Sequence, residues 1–170
     1  VALHYRHLAT QIARHRKNGI PLKQIIKDRA RAHVVSTLDP VTGGVHCALG
    51  GGKNDFLVTS TLASQSTPAV GRALGNTLAH HLQIDTPTFS NDFISYVSLG
   101  DGSTHNSHFL SAINLADFVK SRKFKVPVLF AISDNDLCIS LKGKNWINNH
   151  LITRLSSRMP TFTCDGNDII

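Results

Sequence analysis

Gly100-Asp101-Gly102 and Ser133-Asp134-Asn135-Asp136 each close a run of apolar, β-branched or aromatic residues. A third polar cluster, Ser60-Thr61-Leu62-Ala63-Ser64-Gln65, follows the short apolar run at residues 56–59. In open parallel sheets, ligands bind beyond the carboxyl ends of the strands, so all three clusters fall where a site belongs. The glycines around Asp101 let backbone N–H groups approach a phosphate. Asn135, at the end of the following strand, adds a neutral amide oxygen. A carboxylate, an amide oxygen and a backbone carbonyl, completed by two phosphate oxygens and water, make the octahedron magnesium requires. A Gly-Asp-Gly sequence alone is a turn. Its pairing with Asn135 one β-α-β unit later gives it chemistry.

The elements that must position these residues alternate. Residues 56–59, 93–97 and 126–132 read as strands, the last nearly continuous in apolar residues, as when both faces of a parallel sheet are covered. Residues 62–81 read as a helix. So do residues 106–119, where Phe109, Ala112, Ile113, Ala116 and Val119 recur at helical spacing. A polar helical segment at 146–158 leads to a fourth strand at 161–164, and then to Asp165-Gly166-Asn167-Asp168. This order predicts an α/β fold, three-layer α/β/α, with a mainly parallel sheet. Ahead of it, residues 5–16 and 22–31 read as helices split by Asn18-Gly19-Ile20-Pro21. A loop with five glycines between Gly43 and Gly52 reads as backbone passing close to a ligand or another chain segment. We expect one domain over 1–170, with a helical and glycine-rich part at 1–55 and a βα core at 56–170. Val1 is not an initiator methionine, and truncation at both ends is expected.

With 170 residues, 41% of them hydrophobic and 17% charged, the chain can bury a real core. No apolar run reaches the ~18 residues needed to span a bilayer, so no membrane role is expected. Cys47, Cys138 and Cys164 are odd in number and widely spaced, which suits reduced thiols rather than a disulfide frame or zinc site. The net charge of +7 invites a nucleic-acid reading. The basic residues cluster before position 32 and at 120–125, without interleaved aromatics or a recognition motif. They fit a solvated face, or a dock for an acidic partner or phosphorylated ligand, and no nucleic-acid binding is expected. His105 and His108 stand at surface or cofactor-facing positions after the Gly-Asp-Gly turn. His46, in the glycine-rich loop, is the histidine best placed for a site role. All eleven acids are aspartates; the sequence contains no glutamate.

Gly100-Asp101-Gly102, followed by a strand and Asp134-Asn135, resembles the signature of thiamine diphosphate-dependent enzymes. The interval to Asn135 is several residues longer than usual, and the excess falls in a charged helix-to-strand loop at 121–125, where insertion is cheap. Residues 60–65 and Pro68-Ala69-Val70-Gly71 resemble a segment of the α subunits of branched-chain 2-oxo acid and pyruvate dehydrogenases. Tyr5-Arg6, Gly43-Gly44-Val45-His46 and Asp165-Gly166-Asn167-Asp168 resemble further motifs of those subunits, in the same order. The resemblance implies a thiamine diphosphate-binding fold, specifically its diphosphate-binding domain.

By position, the resemblance makes Asp101, Asn135 and the carbonyl of Leu137 magnesium ligands. Tyr5, Arg6, Gly102 and Ser103 would meet the diphosphate, and Ser60 and Leu62 the aminopyrimidine side. Ser64 and Gln65 match positions that bind a structural potassium ion in some members, although Thr61 replaces a proline there. Ser133 replaces an arginine that helps hold diphosphate in branched-chain enzymes. The resemblance also implies a catalytic glutamate, which must come from a β subunit or a fused pyrimidine domain. The expected activity is oxidative decarboxylation of a 2-oxo acid substrate, with acyl transfer to lipoyl-bearing E2. A transketolase-like thiamine diphosphate-dependent transferase is the alternative. The implied compartment is the mitochondrial matrix in a eukaryote and the cytoplasm in a bacterium.

Overall fold

A computed structural model describes residues 1–4, 7–39, 43–44, 61–84, 89–143, 147 and 159–168. Two helices come first, α1 (Leu8–Lys17) and α2 (Leu22–His33), then α3 (Ser66–His81). Strand β1 (Ser95–Gly100) runs into a 3-10 turn (Asp101–His105) and helix α4 (Ser107–Ser121). Strand β2 (Val128–Ser133) and a small hairpin, β3 (Leu137–Cys138) and β4 (Leu141–Lys142), follow.

Strands β1 and β2 pair in parallel, in a register running from Ser95 opposite Val128 to Gly100 opposite Ser133. Ala2 joins the other edge of β1 through a parallel bridge to Val97. Side chains alternate along each strand, so one face carries Val97 and Leu99 with Val128, Phe130 and Ile132. Helices α3 and α4 cover that face, bringing Ala69, Phe109 and Ile113 into one core cluster. The five α4 residues expected to face inward are all buried. On the opposite face, Tyr96 and Ala131 meet His7 and Thr10 at the start of α1. Helices on both sides of a parallel sheet make this an α/β fold. No helix among the described residues is long and apolar enough to cross a membrane.

The structure differs from the expectation in its element boundaries. Strand β1 begins and ends later than residues 93–97, so Asp101 follows the last strand residue directly. Residues 161–164 form no strand: all four are exposed, and Phe162 is 91% exposed. Their Thr-Phe-Thr alternation fits a half-buried strand, but alternation needs a sheet edge to pair with. The expected strand at 56–59 lies outside the described residues, as do the glycine-rich loop from Val45 and, Ile147 apart, the helical segment at 146–158.

The four α-helices among the described residues end in the same way. After each one, two backbone N–H groups fold back onto the last turn, as in Ile20 to His15 and Gly19 to Arg16 for α1. This is the Schellman arrangement, which places one residue in the left-handed region. Only α1 uses glycine there; Val35, Gln83 and Lys123 occupy it after α2, α3 and α4. A β-branched residue is the least suited to that conformation, and Val35 sits at φ +56°. Val35→Gly should therefore stabilise the fold by about 1 kcal/mol, the strain relieved exceeding the entropy lost. A thermal melt should show Tm rising by ~2–4 °C. A fall in Tm would contradict the assignment of strain.

Candidate metal and diphosphate site

The β1–β2 register decides which side chains meet. Gly100 pairs with Ser133, so Asp101 and Asp134 leave the sheet side by side. Asp101 turns at once into the 3-10 helix, where the Thr104 hydroxyl donates to its backbone carbonyl at 2.6 Å. Asp134 enters a tight double turn. The Asp136 N–H donates to Asp134 Oδ1 at 3.4 Å, and the Leu137 N–H to Asn135 Oδ1 at 3.0 Å. These Asx turns, with Asp136 at φ +54°, fold the strand end back toward Asp101. One carboxylate oxygen from each of Asp101, Asp134 and Asp136 then lies within 4.8 Å of the others.

Asp101 is 2% exposed, and its Oδ2 is buried without a hydrogen-bond partner among the described residues; Asp136 Oδ1 is in the same condition. Like charges this close repel, by about 1 kcal/mol per pair in bulk water and about 4 kcal/mol at an effective dielectric of 20. A divalent cation between them turns the repulsion into attraction. Among the described residues the donors of the cluster are all oxygen, with no sulfur or imidazole, which suits hard cations such as magnesium or calcium. The residues therefore fit the magnesium ion that the sequence resemblance implies.

The expected ligands are distributed around this cluster. Asn135 stands between two of its members, and its Oδ1 retains a second lone pair beyond the one used for Leu137. Leu137 is exposed and opens the hairpin. Gly102 is half-buried and Ser103 buried, both in the first turn of the 3-10 helix, where N–H groups lack intrahelical acceptors. Asn106 caps α4, accepting the His108 N–H at 2.9 Å. His105 and His108 are exposed. Leu62 is 45% exposed, in the turn before α3. Tyr5, Arg6, His46 and Ser60 lie outside the described residues.

Gln65 is buried, and its amide donates to the Ser98 carbonyl at 3.2 Å. The His4 N–H goes to the Ser98 hydroxyl instead, at 2.9 Å. Gln65 thus satisfies a β1 carbonyl that a longer first strand would have taken. Its placement supplies a structural role independent of potassium.

Two features were not anticipated from the sequence. Asp134 and Asp136 join Asp101, a convergence that depends on the turn conformation at Asp136. His7 Nε2 and Ser133 Oγ are hydrogen-bonded at 2.8 Å, across a cleft of about 260 Å³ that Tyr96 also lines. Burial pushes the Tyr96 phenol above its usual range. The Ser133 hydroxyl, one residue before Asp134, and the His7 imidazole bonded to it add polar groups on the side of the site facing α1. A signal for this pair existed in Ser133, whose small side chain stands where an arginine was expected.

The family model for the dehydrogenase E1 component matches residues 1–170, the whole chain. The sequence has no match among curated proteins.

Proposed function

The chain belongs to the dehydrogenase E1 component family, and on that premise we propose that it holds the metal and diphosphate of an E1 α-type active site. The family is that of thiamine diphosphate-dependent 2-oxo acid dehydrogenases, which work together with other components. The observation that carries the finer reading is the buried, unpartnered Asp101 carboxylate at the carboxyl end of β1, facing the Asp134-Asn135-Asp136 turn.

In this reading Asp101, Asn135 and the Leu137 carbonyl hold magnesium. Gly102 and Ser103 present N–H groups to the diphosphate, joined by Tyr5 and Arg6. The His7–Ser133 pair, close in sequence to both Tyr5-Arg6 and Asp134, supports that side of the arrangement. Ser60 and Leu62 serve the aminopyrimidine side, and Leu62 is exposed in the turn before α3. His46 is the candidate for substrate contact. Ser64 and Gln65 remain the potassium candidates.

Thiamine diphosphate, when bound, supplies the nucleophilic carbon and the electron sink for decarboxylation. The work of this chain is to anchor and orient. Fixed donors at the strand ends need no reorganisation as the reaction proceeds, which is where their catalytic value lies. No residue among 1–170 is a glutamate. The carboxylic acid that activates the aminopyrimidine therefore comes from a β subunit or a fused pyrimidine domain. Lipoyl-bearing E2 is the acyl acceptor.

The test uses the complete assembly with thiamine diphosphate and magnesium. The expected result is ferricyanide reduction dependent on a 2-oxo acid, and acyl transfer to a lipoyl domain. Ketol transfer to sugar phosphates, with no 2-oxo acid oxidation, would overturn the reading.

A further inference from the structure

Asp136 occupies a position at which few side chains are comfortable. Its φ of +54° is left-handed, a conformation aspartate tolerates better than most residues. Its carbonyl accepts the Gly143 N–H at 2.7 Å, and its own N–H donates to Asp134. The turn is thereby tied to the hairpin behind it, and its carboxylate faces Asp101. Both Asp101 Oδ2 and Asp136 Oδ1 are buried without partners. A site needing only Asp101, Asn135 and a carbonyl relies on phosphate oxygens to complete the coordination and the charge balance. Here three carboxylates already converge, and they carry a formal charge of −3 between them.

We propose that Asp101, Asp134 and Asp136 form a divalent-cation site that loads before thiamine diphosphate, so the protein holds its metal without the cofactor. This rests on the metal reading above and adds Asp134 and Asp136 to it. Excess negative charge that would repel a free diphosphate becomes useful once the ion is seated. The resident cation offers open positions to the incoming phosphate oxygens, while the surrounding N–H groups take the remainder. Cofactor binding then becomes ordered, cation first.

The experiment measures Mn2+ binding to the complete assembly, stripped of metal and cofactor, from the electron paramagnetic resonance signal of free Mn2+. The wild type should hold one Mn2+ per site without thiamine diphosphate. The double variant Asp134→Asn/Asp136→Asn should weaken that binding tenfold or more, yet still take up Mn2+ when the cofactor is present. Circular dichroism of the variant checks that it folds. Two results would overturn the proposal: no Mn2+ held by the wild type until cofactor is added, or cofactor-free binding unchanged in the double variant. If cofactor-dependent Mn2+ uptake is then abolished by Asp101→Asn, the metal reading stands and only cation-first loading fails. If Asp101→Asn changes nothing under either condition, both fail.

Discussion

Asp101→Ala should weaken the joint binding of thiamine diphosphate and magnesium by at least a hundredfold, without lowering the stability of the cofactor-free protein. The two halves of that expectation come from one observation. The Asp101 carboxylate is buried, but its Oδ2 has no hydrogen-bond partner among the described residues. The local structure is held by its backbone instead, through the Thr104 hydroxyl on its carbonyl. Removing the side chain therefore breaks no bond at Oδ2 and relieves repulsion from Asp134 and Asp136. Toward a dication the sign reverses. Two unit charges ~4 Å apart interact by about 4 kcal/mol at the effective dielectric of a partly buried site. A dication doubles the charge, so losing one carboxylate costs more than a hundredfold in affinity. Calorimetric titration of the intact assembly gives the affinity, and a thermal melt of the cofactor-free protein gives the stability. Unchanged affinity would sink the site. A large drop in cofactor-free Tm would mean that Asp101 is a structural residue.

The pairing of Asp101 with the Asp134-Asn135-Asp136 segment was legible because parallel strands have a simple rule. Polar residues that close consecutive strands meet at one edge. The buried stripe of α4 was legible for a similar reason, since helical periodicity survives whatever packs on it. The contacts that the sequence did not disclose depend on backbone conformation rather than residue type. The meeting of Asp136 with Asp101 requires a left-handed residue, and the helix ends at Val35, Gln83 and Lys123 lack the glycine that usually marks such a turn. Residues 161–164 fail in the opposite sense. Their alternation suits a strand, but no ladder forms there, because pairing is a property of the sheet and not of the segment. His7 and Ser133 are 126 positions apart, and only the packing of α1 across the sheet joins them.

Phe109→Ala should cost the fold about 3–5 kcal/mol, a large share of the ~5–15 kcal/mol that holds a domain together. Phe109 is fully buried at the start of α4. Its ring meets Phe130 of β2 edge-on, with centroids 5.5 Å apart and planes at 85°. Val97, Leu99 and Ile113 belong to the same cluster, so truncation leaves a cavity walled by both strands and the helix itself. The start of α4 also follows directly from the 3-10 turn that carries Asp101, Gly102 and Ser103. Loosening it should blur the site, so cofactor affinity should fall along with stability, unlike the split expected for Asp101→Ala. Phe109→Leu, which keeps most of the volume, should restore the larger part of both. Urea denaturation midpoints, read beside the calorimetric affinity for the three proteins, separate these outcomes. A loss below about 1 kcal/mol in Phe109→Ala would mean the cluster collapses freely into the space, and that the sheet does not depend on α4 for its placement.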